Sequence, residues 1–203
     1  MAVGGDVACG TTEANYNGGA GTATACHMAQ TSDLVVAMTP QQAWALGDLQ
    51  YNSGSLSDFT VSHQNSWGRF KAITKPVVGN HEYGTGGAAG YYTYFGDLAS
   101  PRQPGCTRDC EGYYSFDVAV GSAQWHVAVI NSECTRIGGG VGCAVGTGGR
   151  DSQGFGTVVS NSQVRKIQIF GVMKLTLRPA GYDRQFVPDP ATPFVDSGTG
   201  SCN

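Results

Sequence analysis

Apolar residues fall in short blocks along this chain, and three of the blocks end on a glycine followed by a polar side chain. The first, residues 2–5, predicts a short strand running into Asp6, followed by a Gly-, Asn- and Thr-rich loop to about residue 25. Residues 33–38 read as a helix capped by Thr31 or Ser32 and ended by Pro40. Ala43–Leu46 predicts a second, buried strand leading into Gly47-Asp48, and residues 76–78 a third leading into Gly79-Asn80. Between them, residues 57–73 fit a broken helix with Phe59, Trp67 and Phe70 inward, Gly68 weakening the pattern. Two hairpins follow. Residues 113–131 alternate about a Gly121-Ser122 turn, and residues 170–177 and 182–187 pair through Pro179-Ala-Gly. The stretch 135–163 is Gly-rich and predicts no helix of useful length, and no internal repeat is visible.

These elements suit one α/β (α+β) domain spanning 1–203, with an N-terminal half, 1–144, that carries the polar strand ends and a C-terminal part, 145–203, made of strands. A length of 203 residues fills one substantial core and makes two domains unnecessary. Charged residues are 13% against roughly 25% in average soluble proteins, and Gly is 31 of 203, so loops and uncharged surface are expected. With 40% hydrophobic residues, disorder is not expected. A net charge of −3 supplies no basic stripe, which argues against a nucleic-acid partner. No apolar run approaches the roughly 18 residues of a membrane span, so no membrane partner is expected. No basic-then-apolar leader opens the sequence, and any export signal is expected outside it.

Seven cysteines change the picture, because three pairs stand close together: Cys9 with Cys26, Cys106 with Cys110, and Cys134 with Cys143. Cys202 is left over. No Cys-x-x-Cys spacing occurs, so disulfides are favoured over metal thiolates, and with them an oxidising, extracellular location.

The chemistry lies in the strand ends. Gly-Asp6, Gly47-Asp48-Leu-Gln-Tyr51 and Gly79-Asn80-His81-Glu82 each put a metal-capable side chain directly after an apolar run. Parallel strands converge at their carboxyl ends, where α/β sheets place ligands, and a preceding glycine lets the backbone turn sharply there. Carboxylate, amide and phenol oxygens form a hard ligand set that suits Fe(III), Mn or Mg-like ions. A Gly18-Gly-Ala-Gly21 run lacks the spacing of a dinucleotide loop and follows no strand.

In this order the three segments resemble the calcineurin-like metallophosphoesterase superfamily, in its purple-acid-phosphatase-like branch, over most of the chain. The resemblance implies an α/β/β/α sandwich, a binuclear centre of Fe, Mn or Zn, and hydrolysis of small phosphate esters. It further implies that Asp6 and Tyr51 ligate a first metal, Asp48 bridges both, Asn80 ligates the second, and His81 acts at the leaving group. Ala8 stands where many relatives carry a ligand His, and Tyr51 replaces the lost imidazole.

The same resemblance exposes a departure. The chain has His27, His63, His81 and His126 and none after that, so the three later His ligands of the family have no counterpart. It implies an internal deletion near residues 143–149, an incomplete sandwich, one metal ion or none, and a partner for Cys202 lost with the deleted block. Three readings follow: a hydrolase completed by other ligands, a non-catalytic module with one metal or a phosphate, or a remnant with exposed sheet edges. His126 reads as a hydrogen-bonded core or sheet residue, and His27 and His63 as surface residues. Glu82 either orients His81 or caps the next turn. The 91–95 aromatic cluster either packs on the sheet or lines a cleft.

Overall fold

The computed structural model describes residues 1–131, 133, 169–191 and 194–201. Its frame is a six-stranded mixed sheet made, in spatial order, of Thr74–Val77 (β3), Ala43–Leu46 (β2), Ala2–Gly4 (β1), Gly171–Arg178 (β6), Gly181–Pro188 (β7) and Ser197–Ser201 (β8). Strands β1 (Ala2–Gly4), β2 (Ala43–Leu46) and β3 (Thr74–Val77) are parallel. Strands β6 (Gly171–Arg178), β7 (Gly181–Pro188) and β8 (Ser197–Ser201) extend it antiparallel, β6 joining at β1 through Val3 opposite Met173. A separate hairpin, β4 (Tyr114–Val120) and β5 (Ala123–Val129), forms a two-stranded sheet. The mixed α/β expectation is met.

Successive strand residues point to opposite faces, and the two faces of the main sheet differ in size of side chain. Ala2, Gly4, Ala43 and Ala45 are buried on one face, where small residues allow close packing of the helical layer. Helix α1 (Met28–Met38) buries Met28, Thr31, Ser32 and Val35 there. It begins before the expected Thr31 or Ser32 cap. Those hydroxyls instead lie inside the helix and donate back to the carbonyls of Met28, at 3.3 Å, and Ala29, at 2.8 Å.

The broken helix is observed as α2 (Leu56–Asp58), a π turn over Phe59–His63, and a 3-10 segment over Trp67–Ile73. Phe59, Trp67 and Phe70 are buried, as the pattern predicts. Helix α3 (Ala89–Phe95) carries the aromatic cluster inward, so burial wins over a cleft lining. Phe59 stacks on Tyr94 with ring centroids 4.9 Å apart.

The opposite face carries Val3, Trp44, Leu46, Val77, Met173 and Leu175, with Lys75 among them. The hairpin turns Phe116, Val127 and Val129 toward it across a cleft of about 440 Å³. Disulfides join Cys9 to Cys26 and Cys106 to Cys110. The expected Cys134 with Cys143 pair, the 135–163 stretch, the 143–149 junction and Cys202 lie outside the described residues. Among the described residues, no helix is long and apolar enough to cross a membrane.

Candidate metal centre

Beyond the last paired residues of β1 and β2, the two chains continue side by side. Asp6 N donates to the Gly47 carbonyl at 3.1 Å, Val7 N to Asp48 at 2.9 Å, Ala8 N to Leu49 at 3.1 Å, and Tyr51 N returns to Ala8 at 2.8 Å. This ladder puts Asp6 beside the Asp48-to-Tyr51 turn, at the carboxyl ends of adjacent parallel strands. Both aspartates take left-handed backbone conformations, with φ of 50° at Asp6 and 49° at Asp48. A non-glycine residue held there costs of order 1–3 kcal/mol, and such positions cluster at functional sites.

The side chains meet at the Tyr51 phenol. Its hydroxyl donates to Asp6 Oδ1 in a very short hydrogen bond and lies 3.4 Å from Asp48 Oδ2. Burial raises the phenol pKa, and the hydrogen bond to Asp6 and the charges of Asp6 and Asp48 raise it further. The Tyr51 proton therefore stays in place between the two aspartates when no cation is present.

His81 stands against Tyr51, ring centroids 4.2 Å apart. Its backbone N–H donates to Asp48 Oδ1 at 3.0 Å. Its Nδ1 lies 2.7 Å from the Asn52 carbonyl. A carbonyl only accepts, so Nδ1 carries a proton and Nε2 is the nitrogen left for chemistry. Asn80 follows β3 and Gly79, exposed, with its carbonyl accepting from Tyr83 N at 3.2 Å. Asp6, Asp48, Tyr51 and His81 are thus brought together, with Asn80 next to His81 at the neighbouring strand end.

Glu82 turns its carboxylate to the backbone of the two strand-end turns rather than to the His81 ring. Its side chain is fully buried and accepts from backbone N–H groups of Asp48, Leu49, Gln50 and Gly79. Burial and the Asp48 charge push its pKa up to about 7, against the pull of those donors. Gln50 is a second buried polar residue that the sequence leaves unmarked. Its Nε2 donates to the carbonyls of Cys9 at 3.0 Å and Tyr51 at 2.9 Å, and its Oε1 accepts from His63 N at 3.2 Å. The one sequence signal for Gln50 is its place between Leu49 and Tyr51 in the Asp48 segment.

Two histidines expected at the surface are buried. His27 stacks on Phe170 with centroids 4.1 Å apart and bonds through Nδ1 to Asp189, a partner 162 positions away that no local pattern reveals. His63 packs among Phe59, Tyr94 and Phe95. Burial, aided by Lys71, lowers its pKa to about 3, so it is neutral. His126 is a sheet residue, exposed and bonded to Asp117 on the paired strand at 2.7 Å.

Another group of donors, Cys9, Glu13 and Cys26, lies within 4.8 Å. The two sulfurs are bonded to each other, which removes both thiolates as ligands. No protein-family model, curated protein or solved structure matches this chain.

Proposed function

We propose that this chain is a metal-dependent phosphate-ester hydrolase of the calcineurin-like kind, reduced to a single hard ion. The observation that carries this reading is the meeting of Tyr51 with Asp6 and Asp48 at the ends of adjacent parallel strands. A phenol and two carboxylates, joined by a proton that a cation can replace, fit Fe(III), Mn or a similar ion. Asp6, Asp48 and Tyr51 would hold it, while Asn80 and Asp48 are what remains of a second position. When bound, the ion would lower the pKa of a water and offset phosphate charge.

The chain's own residues do the rest. A water gives up a proton to solvent and attacks phosphorus, the P–O bond to the leaving group breaks, and the departing oxygen takes a proton from His81 Nε2. The Nδ1–H bond to Asn52 and the contact with Tyr51 hold the ring for that transfer. The six-stranded mixed sheet with its hairpin layer supports an incomplete α/β/β/α sandwich. The disulfides support an oxidising, extracellular setting.

A second reading, a non-catalytic module that keeps one ion, is favoured by the lack of any histidine after His126. Turnover of p-nitrophenyl phosphate by the Mn-loaded chain decides between them. Slow hydrolysis that is lost in Asp48→Ala supports the hydrolase. Mn binding with no hydrolysis supports the module.

A further inference from the structure

We propose that Glu82 is the positioning residue of this site, an acceptor-only anchor that fixes where Asp48 and the Gly79-Asn80-His81 turn stand. The functional consequence rests on the metal-site reading above, while the structural claim stands on its own geometry. Glu82 Oε1 accepts from Leu49 N at 2.8 Å and Gln50 N at 3.0 Å. Oε2 accepts from Gly79 N at 2.8 Å and Asp48 N at 3.1 Å. The turns after β2 and β3 are therefore tied to one carboxylate.

An ionised carboxylate has about four lone-pair sites and no proton, so four converging N–H donors fill it. A glutamine of the same size cannot replace it. Whichever way its amide is turned, an NH2 group faces two backbone N–H donors, and buried donors are left without acceptors. An aspartate keeps the acceptor chemistry but is one methylene shorter.

The anchoring passes onward to the chemistry. With the Asp48 backbone fixed by Glu82, Asp48 Oδ1 accepts from His81 N at 3.0 Å and so places the imidazole. The surroundings leave little room for adjustment. A Cβ at Gly79 would stand 2.2 Å from Asp48 Oδ1, and one at Gly54 would stand 2.5 Å from Glu82 Cα. Glu82 is fully buried with its carboxylate filled by backbone donors, so it acts through Asp48 and the His81 turn.

The test compares the full chain with Glu82→Gln and Glu82→Asp at pH 8, by Mn2+ titration calorimetry and by amide hydrogen exchange in metal-free protein. Outer partners of metal ligands are typically worth about 10- to 100-fold in affinity, so Glu82→Gln should bind Mn2+ at least about 10-fold more weakly. Exchange should quicken at Asp48, Leu49, Gln50 and Gly79 while β6, β7 and the near-ultraviolet spectrum keep their native character. Glu82→Asp should recover part of both losses. Wild-type Mn2+ affinity and unchanged exchange in Glu82→Gln would overturn the proposal. Should Glu82→Gln not fold, Glu82→Asp carries the test by the same two readouts: weaker binding and faster exchange support the anchor, and no change in either overturns it. If the wild type itself takes up no Mn2+, the metal reading fails, and exchange at the four amides alone decides the positioning role.

Discussion

The Tyr51 phenol lies within hydrogen-bonding reach of both Asp6 and Asp48, so Tyr51→Phe would leave the proposed ion two oxygens instead of three. Mn2+ affinity measured by calorimetry is expected to fall on the order of 10-fold or more, since even outer partners are worth that much. His63 provides a consequence at a distance from the site. Its folded pKa of about 3 lies below its ordinary 6.5, so between these values the unfolded chain binds the proton and the folded chain does not. Its neutral burial is fully favourable above pH 6.5 and is lost progressively as pH falls toward 3, at about 1.4 kcal/mol per pH unit. Glu82, with its folded pKa raised to about 7, gains stability as pH falls over much of the same range, so the His63 effect is read as a difference: urea midpoints of wild type and His63→Phe at pH 7, 6, 5 and 4 should shift steadily in favour of the variant as pH falls. Neither this burial nor that of His27 was legible in the sequence. Both depend on partners brought in by the fold: Tyr94 and Phe95 for His63, and Asp189 and Phe170 for His27.

The strand ends were the legible elements, because a short apolar run and a glycine mark a buried parallel strand and its turn without help from distant residues. Ala43–Leu46 appears as the pattern places it, and the first and third strands agree to within a few residues. Strand β8 was not legible: its sequence Ser-Gly-Thr-Gly-Ser has little strand propensity, and it forms because β7 offers an edge to pair with. Helix α1 begins earlier than its capping signal, since Thr31 and Ser32 satisfy their hydroxyls within the helix. Gly79 shows how tightly the elements fix the site. A methyl group there would meet Asp48 Oδ1 at 2.2 Å and Asp48 N at 2.3 Å, against backbone that cannot retreat. Gly79→Ala is therefore expected to cost about 1–3 kcal/mol by denaturant unfolding, as overpacking does, and to weaken Mn2+ binding with it. Unchanged stability would mean that the turns after β2 and β3 separate easily.

Across the whole molecule, the order of strands was beyond the sequence. Strand β6 docks antiparallel on β1 across a separation that no local signal encodes, and it turns three parallel strands into a six-stranded mixed sheet. The same joining leaves Trp44, Leu46, Met173 and Leu175 facing the hairpin over an apolar cleft. The convergence of Asp6, Asp48 and Tyr51 was legible as an expectation from motif order, whereas the buried Glu82 and Gln50 network that supports it was not. The proposed centre is one ion held by three oxygens, and metal stoichiometry tests it most directly. Elemental analysis of monomeric chain, loaded with Mn2+ or Fe3+ and then dialysed, should find one ion per chain in the wild type and none in Asp48→Ala. No bound metal, two ions per chain, or an ion retained by Asp48→Ala would contradict it.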